Sequence, residues 1–118
     1  MEKKPRIYVA GPMRGYPKFN YPRFNGFAAE LAYAGWDVVN PVCVSSSFAD
    51  AEAINADPAL LEAVLAAEIL ALKTCEAIYL LNGWEKSDGA RKEVAAAIAH
   101  GLEIYLEPLI PYRKTSES

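Results

Sequence analysis

The 118-residue chain is 53% hydrophobic and 23% charged, with a formal net charge of −3. That length suits one domain with one core, and the acidic balance argues against a surface that coats a nucleic-acid polymer. No apolar stretch reaches membrane-spanning length, since the nearest, around residues 59–72, is interrupted by Glu62 and Glu68.

The elements alternate between two periodicities along the chain. Glu2-Lys3-Lys4-Pro5 is charged and has no signal-peptide pattern. Arg6–Ala10 reads as a short apolar strand ending at Gly11-Pro12. Residues 11–21 form a loop rich in Gly, Pro and Asn. Pro22 suits the first turn of a helix that carries Phe24, Phe27, Ala28, Leu31 and Ala34 on one side and stops at Gly35. Residues 36–40 are a second strand, stopped by Pro41. Residues 42–57 read as a longer Ser/Ala/Asp loop with a helical turn, and Ser45-Ser46-Ser47 as a polar stretch of it. A second helix runs from Pro58 to residue 73 or 74. A third strand at 77–81, a helix through Glu93 to His100-Gly101, and a strand from Glu103 to Leu106 complete the pattern. Strand–helix alternation with short apolar strands predicts a three-layer α/β domain, Rossmann-like or flavodoxin-like, with a mainly parallel sheet. Residues 1–110 make the domain and 111–118 a polar, mobile tail. Cys43 and Cys75 have neither metal-ligand spacing nor a disulfide framework, and both read as buried, reduced thiols of a cytoplasmic protein.

Parallel α/β sheets bind ligands outside the carboxyl ends of their strands. The loops at 11–21, 40–57 and 82–89 should therefore converge. Gly11-Pro12-Met13-Arg14-Gly15 is neither a G-x-G-x-x-G fingerprint nor a Walker loop, which removes the main support for a dinucleotide or nucleoside triphosphate. It still offers flexible backbone and one guanidinium for a phosphate; a plain turn with a solvated Arg14 reads equally well. The third loop leads through Ser87-Asp88-Gly89 into an Ala-rich helix, a standard way to present N–H groups to an anion. Glu93 lies just inside that helix, and a carboxylate there repels an anionic ligand unless it reacts with it.

Glu68 is the second anomaly. It falls inside the apolar band of Leu61, Val64, Leu65, Ile69 and Leu72, and burying a carboxylate is costly unless it is paired. It either lies at the band's margin, pairs with a cation at a subunit interface, or joins Glu93 in one crevice. Two carboxylates in a crevice are what glycosidic chemistry requires. Tyr16, Phe19 and Tyr21 could stack on a base or plug the core, Trp84 could wall a pocket, and His100 reads as a helix cap.

The run Ile7-Tyr8-Val9-Ala10-Gly11-Pro12-Met13-Arg14-Gly15, then Asn40-Pro41, then Cys75-Glu76-Ala77-Ile78-Tyr79 leading to Ser87-x-Gly89-x-x-x-Glu93, resembles the nucleoside 2-deoxyribosyltransferase superfamily. Within it, the chain is most similar to small bacterial and phage members and to the 2-deoxynucleoside 5-phosphate N-hydrolases. The similarity runs from about Arg6 to Leu106.

That resemblance implies cleavage of an N-glycosidic bond, by hydrolysis or by transfer to another base. Glu93 matches the family's nucleophile, and Tyr8 the strand-end tyrosine that contacts it and the sugar. Glu68 stands where an aspartate is usual. Gly11, Pro12, Met13, Arg14, Gly15, Ser87 and Gly89 match the substrate-binding segments. Ser87 matches a phosphate-binding serine of the hydrolases, which tilts the implied substrate toward a deoxynucleotide rather than a free deoxynucleoside. Pro12 replaces a second such serine and Asp88 adds negative charge, so Arg14 and Arg91 are the candidates to compensate. No metal and no cofactor is implied. The second helix, apolar on more than one face, predicts a homodimer, and the resemblance implies that the neighbouring subunit helps complete the pocket. A nucleotide-binding sensor without catalysis and a pure interaction protein are the other readings of the same fold.

Overall fold

The computed structural model describes residues 3–112. Four strands, β1 (Arg6–Ala10), β2 (Asp37–Val39), β3 (Ala77–Leu80) and β4 (Glu103–Leu106), form one sheet in the order β2-β1-β3-β4. Every pairing is parallel, with Tyr8 opposite Val39 on one side and Ile78 on the other. Two faces of helices cover the sheet, so the expected three-layer parallel α/β architecture is what the chain adopts.

Side-chain alternation along the strands separates two cores. Ile7, Val9, Ala77, Tyr79 and Leu81 pack under Phe24 and Leu31 of α1 (Tyr21–Tyr33) and Val42 of α2 (Pro41–Ser46). Tyr8, Ala10, Ile78 and Leu80 face the other way, onto Leu72 of α4 (Pro58–Leu72) and Val94 and Ala97 of α5 (Asp88–Ala99). β1 and β3 are buried along nearly their whole length, as expected for strands covered on both faces. Fully burying one such aliphatic side chain contributes about 1.5–3 kcal/mol.

The stretch 42–57 differs from its expected character. It is two short helices, α2 and α3 (Ala51–Ala56), joined by a turn. Each starts from a polar cap: Asn40 Oδ1 accepts from the Val42 amide at 3.1 Å and Asp50 Oδ1 from the Ala53 amide at 2.9 Å. Six-residue helices carry too few turns for an apolar period to show. Ser45, expected in a polar loop, is buried and accepts or donates a 3.0 Å hydrogen bond with the Tyr21 hydroxyl. Cys43 is exposed rather than buried, whereas Cys75 is buried as expected. The tail's residues 113–118 lie outside the described residues. Its first residue is tied down, because Trp36 Nε1 donates to the Pro111 carbonyl at 2.8 Å.

The strand order places a switch point between β1 and β3: the connection from β1 leads outward to β2, and the next connection returns across β1 to β3. The loops after β1 and β3 leave the sheet there, at the carboxyl ends of the strands, where parallel α/β sheets bind their ligands. Among the described residues, no helix is long and apolar enough to cross a membrane.

Candidate active site

Three side chains from three elements meet beside that switch point. Tyr8 projects from β1 toward the α4–α5 side, and its hydroxyl donates to Glu93 Oε2 at 2.7 Å. Glu93 is the sixth residue of α5, placed there by the turn that follows β3. Glu68 reaches the pair from α4, and its carboxyl lies close enough to that of Glu93 for each to perturb the other's ionisation. Exposure is 0% for Tyr8, 5% for Glu93 and 8% for Glu68, so all three are withdrawn from bulk water. Within the apolar band of α4, Glu68 is buried beside Glu93 rather than placed at the band's margin, and among the described residues it forms no ion pair within this chain.

The electrostatics follow from burial. Desolvation pushes the Glu68 carboxyl far above the usual range, and the neighbouring Glu93 charge adds to the effect. Desolvation also raises Glu93, while the hydrogen bonds from Tyr8 and Glu68 pull it back down. With Glu68 raised to about 10 and Glu93 only to about 7, Glu68 keeps its proton through neutrality and Glu93 is the first of the pair to ionise. Burial raises the Tyr8 hydroxyl well above its ordinary value, with Glu93 reinforcing this, so Tyr8 stays a donor. The arrangement is a carboxyl that ionises around neutrality, Glu93, beside a hydroxyl donor and a second carboxyl that stays protonated. Pairs of carboxyls driven apart in this way are how an active site obtains a base or nucleophile and an acid at one pH.

The loop after β1 has less freedom than its composition suggests. Gly11 and Pro12 are buried, and a Cβ on Gly11 would sit 2.8 Å from Leu81 Cβ. Gly11 is thus required by the close approach of β1 and β3, independently of any ligand. Met13 packs against the α1-side core, and Gly15 turns the chain at φ 82°. Arg14 is exposed; its Nε donates to Asn55 Oδ1 at 2.9 Å and its Nη2 to the Asn55 carbonyl at 3.5 Å. Farther on, Lys18, Phe19 and Asn20 adopt φ values of 53°, 54° and 62°, three left-handed residues in a row at about 1–2 kcal/mol each. Asn20 is held in this turn by donating to the Pro12 carbonyl at 2.8 Å. Of the loop aromatics, Phe19 packs on Tyr21 at 6.4 Å and Tyr21 bonds Ser45; Tyr16 is the exposed one.

At the head of α5, Ser87 is the N-cap: its hydroxyl oxygen accepts from the Ala90 amide at 3.2 Å, leaving its own proton free to donate. Gly89 has open space around it, with Leu65 Cδ1 4.0 Å from where a Cβ would stand. Arg91 donates to the Glu85 carbonyl at 2.8 Å and to Asp88 at 3.3 Å, and Lys92 lies 3.2 Å from Asp88. Asp88 is thereby paired with two cations of its own helix, all of them exposed.

Two residues without any signal in the sequence also shape the site. Glu107, beyond β4, accepts from the Asn82 amide at 2.7 Å and from Arg23, fixing the start of the loop after β3. Although burial works against ionisation, those donors hold its carboxyl below the usual range. Asn55 is the other, on a helix that the sequence pattern did not reveal. A cavity of about 490 Å³ opens at the opposite end of the sheet, against Pro5, Trp36, Cys75, Glu76 and His100, and none of Tyr8, Glu68 or Glu93 lines it. Among the described residues no cluster of His, Cys, Asp and Glu could hold a metal ion.

Residues 5–106 match the family described as a domain of unknown function, DUF4406. No curated protein matches the sequence. The match takes in all four strands, Tyr8, Glu68 and Glu93, and the chain belongs to the DUF4406 family.

Proposed function

We propose that the protein cleaves the N-glycosidic bond of a 2-deoxynucleoside or its 5-monophosphate, with Glu93 as nucleophile. The supporting observation is the hydrogen bond from the Tyr8 hydroxyl to Glu93, with Glu68 buried beside them and perturbing the same carboxyl. The resemblance to nucleoside 2-deoxyribosyltransferases points to the same three positions.

The chemistry is a double displacement. Ionised Glu93 attacks the anomeric carbon; the bond to the base breaks, its electron pair leaves with the base, and the proton of Glu68 moves to the departing nitrogen heterocycle. Water, or a second base, then attacks the anomeric carbon of the glycosyl ester and returns a proton to Glu68. Tyr8 holds Glu93 in position and steadies its charge before and after attack. A 2-deoxy sugar suits the mechanism, since no electron-withdrawing 2-hydroxyl opposes positive charge at the anomeric carbon.

The protein acts in this reading as a cytoplasmic homodimer. Support comes from α4, which is apolar around most of its circumference and leaves Leu70 66% exposed. Light scattering at micromolar concentration should give twice the chain mass, and a monomer mass would remove this part. The activity is tested by incubating the protein with a panel of deoxynucleosides and their 5-monophosphates and separating the released bases. Release from at least one is expected. Tight nucleotide binding with no release from any would replace catalysis by a sensor role.

A further inference from the structure

The cations on the elements at the carboxyl end of the sheet are not equivalent. Arg23 is paired with Glu107, and Arg91 and Lys92 with Asp88. Arg14, at the carboxyl end of β1, is instead held by a neutral partner. Asn55 donates its own amide nitrogen to the Ala51 carbonyl at 2.8 Å, which turns its Oδ1 toward the Arg14 Nε at 2.9 Å. The Asn55 carbonyl takes a second, longer bond from Nη2. The guanidinium is therefore tethered along one edge, keeps three of its five N–H donors, and has a neutral rather than an acidic side chain as its partner. A carboxylate at position 55 would hold the arginine at least as well. It would also cancel the charge.

We infer that Asn55 is a positioning residue: it aims Arg14 at the anionic group of the substrate, the 5-phosphate, without neutralising it. This deepens the proposed function and rests on its reading of the crevice as a nucleotide site. A merely structural tie between the β1 loop and α3 would be indifferent to the charge of the acceptor, or would favour Asp. The inference requires the reverse.

The test is calorimetric titration of the four common deoxynucleoside 5-monophosphates and their unphosphorylated nucleosides, in an E93Q background so that nothing is consumed. N55D and N55A are compared with the parent. N55D should keep its thermal stability yet weaken monophosphate binding about tenfold or more, the loss of one charge-assisted contact. N55A should weaken it less, because the charge survives while its orientation is lost. Nucleoside affinity should stay within about twofold in both. Monophosphate affinity in N55D equal to the parent's would overturn the inference, as would equal losses for nucleosides and monophosphates, or a parent that binds no monophosphate. Base release by the protein with Glu93 intact is scored separately. If N55D discriminates as expected but no base is released, catalysis fails and the role of Asn55 stands; if base is released and N55D binds normally, the reverse holds.

Discussion

Replacing Glu68 with Gln should make the protein more stable at neutral pH while impairing its activity. The side chain keeps its length and gains an amide that can donate to Glu93, so only the titration is removed. In the folded protein the Glu68 and Glu93 carboxyls are raised above their ordinary values, whereas in the unfolded chain both ionise near about pH 4.3. Below that range both states are protonated and the pair costs nothing. As pH climbs, the unfolded chain sheds both protons while the folded one holds them longer, Glu68 longest, so stability is lost at about 1.4 kcal/mol per unit for each retained proton. Between about pH 4.5 and pH 7.5 the ceiling is therefore about 4 kcal/mol, and relaxation around the pair brings it to roughly 2–4 kcal/mol. Urea unfolding of both proteins at several pH values, at constant ionic strength, reads this directly from the midpoints. The two should coincide at the acid end and diverge steadily in favour of E68Q. Parallel stability profiles would refute the shared-proton description, because they would mean that no proton is held by the fold.

Other substitutions separate packing from chemistry. Gly11→Ala drives a methyl to 2.8 Å from Leu81 Cβ and should cost about 1–3 kcal/mol through overpacking, measured as a lower unfolding midpoint even without ligand. Ser87→Ala removes the α5 cap and should cost about 1 kcal/mol, and it should also raise KM for the monophosphate while leaving nucleosides alone. Ser87→Asp should restore the cap and stability but not the phosphate affinity, since its charge opposes the ligand; equal recovery of both would show that Ser87 acts only as a cap.

Much of this was readable along the chain because the relevant signals are local. The runs Arg6–Ala10 and Ala77–Leu80 are apolar on both faces, and only a doubly covered parallel strand tolerates that. Glu68 stood out because a carboxylate four residues from both Val64 and Leu72 must lie on their buried face. What escaped detection depends on contacts between distant segments. Nothing around Asn55 distinguishes it from a solvated loop residue until α3 brings it against Arg14. Lys18, Phe19 and Asn20 adopt left-handed backbone without a glycine among them, held by the Asn20 bond to Pro12 rather than by their own preferences. Gly11 to Gly15 looked like a flexible ligand loop, yet Gly11 is small because Leu81 lies against it. Caps did carry information that periodicity lacked: Asn40 before Pro41 and Asp50 before Ala51 start two helices too short to show a period.

The central claim is that Glu93 attacks the sugar. Its most direct test is base release by Glu93→Ala, measured on a deoxynucleoside or deoxynucleotide that the parent protein cleaves, alongside the affinity for the same compound. Loss of the attacking carboxylate removes the covalent route altogether. The account predicts release at or near the uncatalysed background with a native fold and substrate affinity largely retained. Release by Glu93→Ala at the parental rate would contradict it.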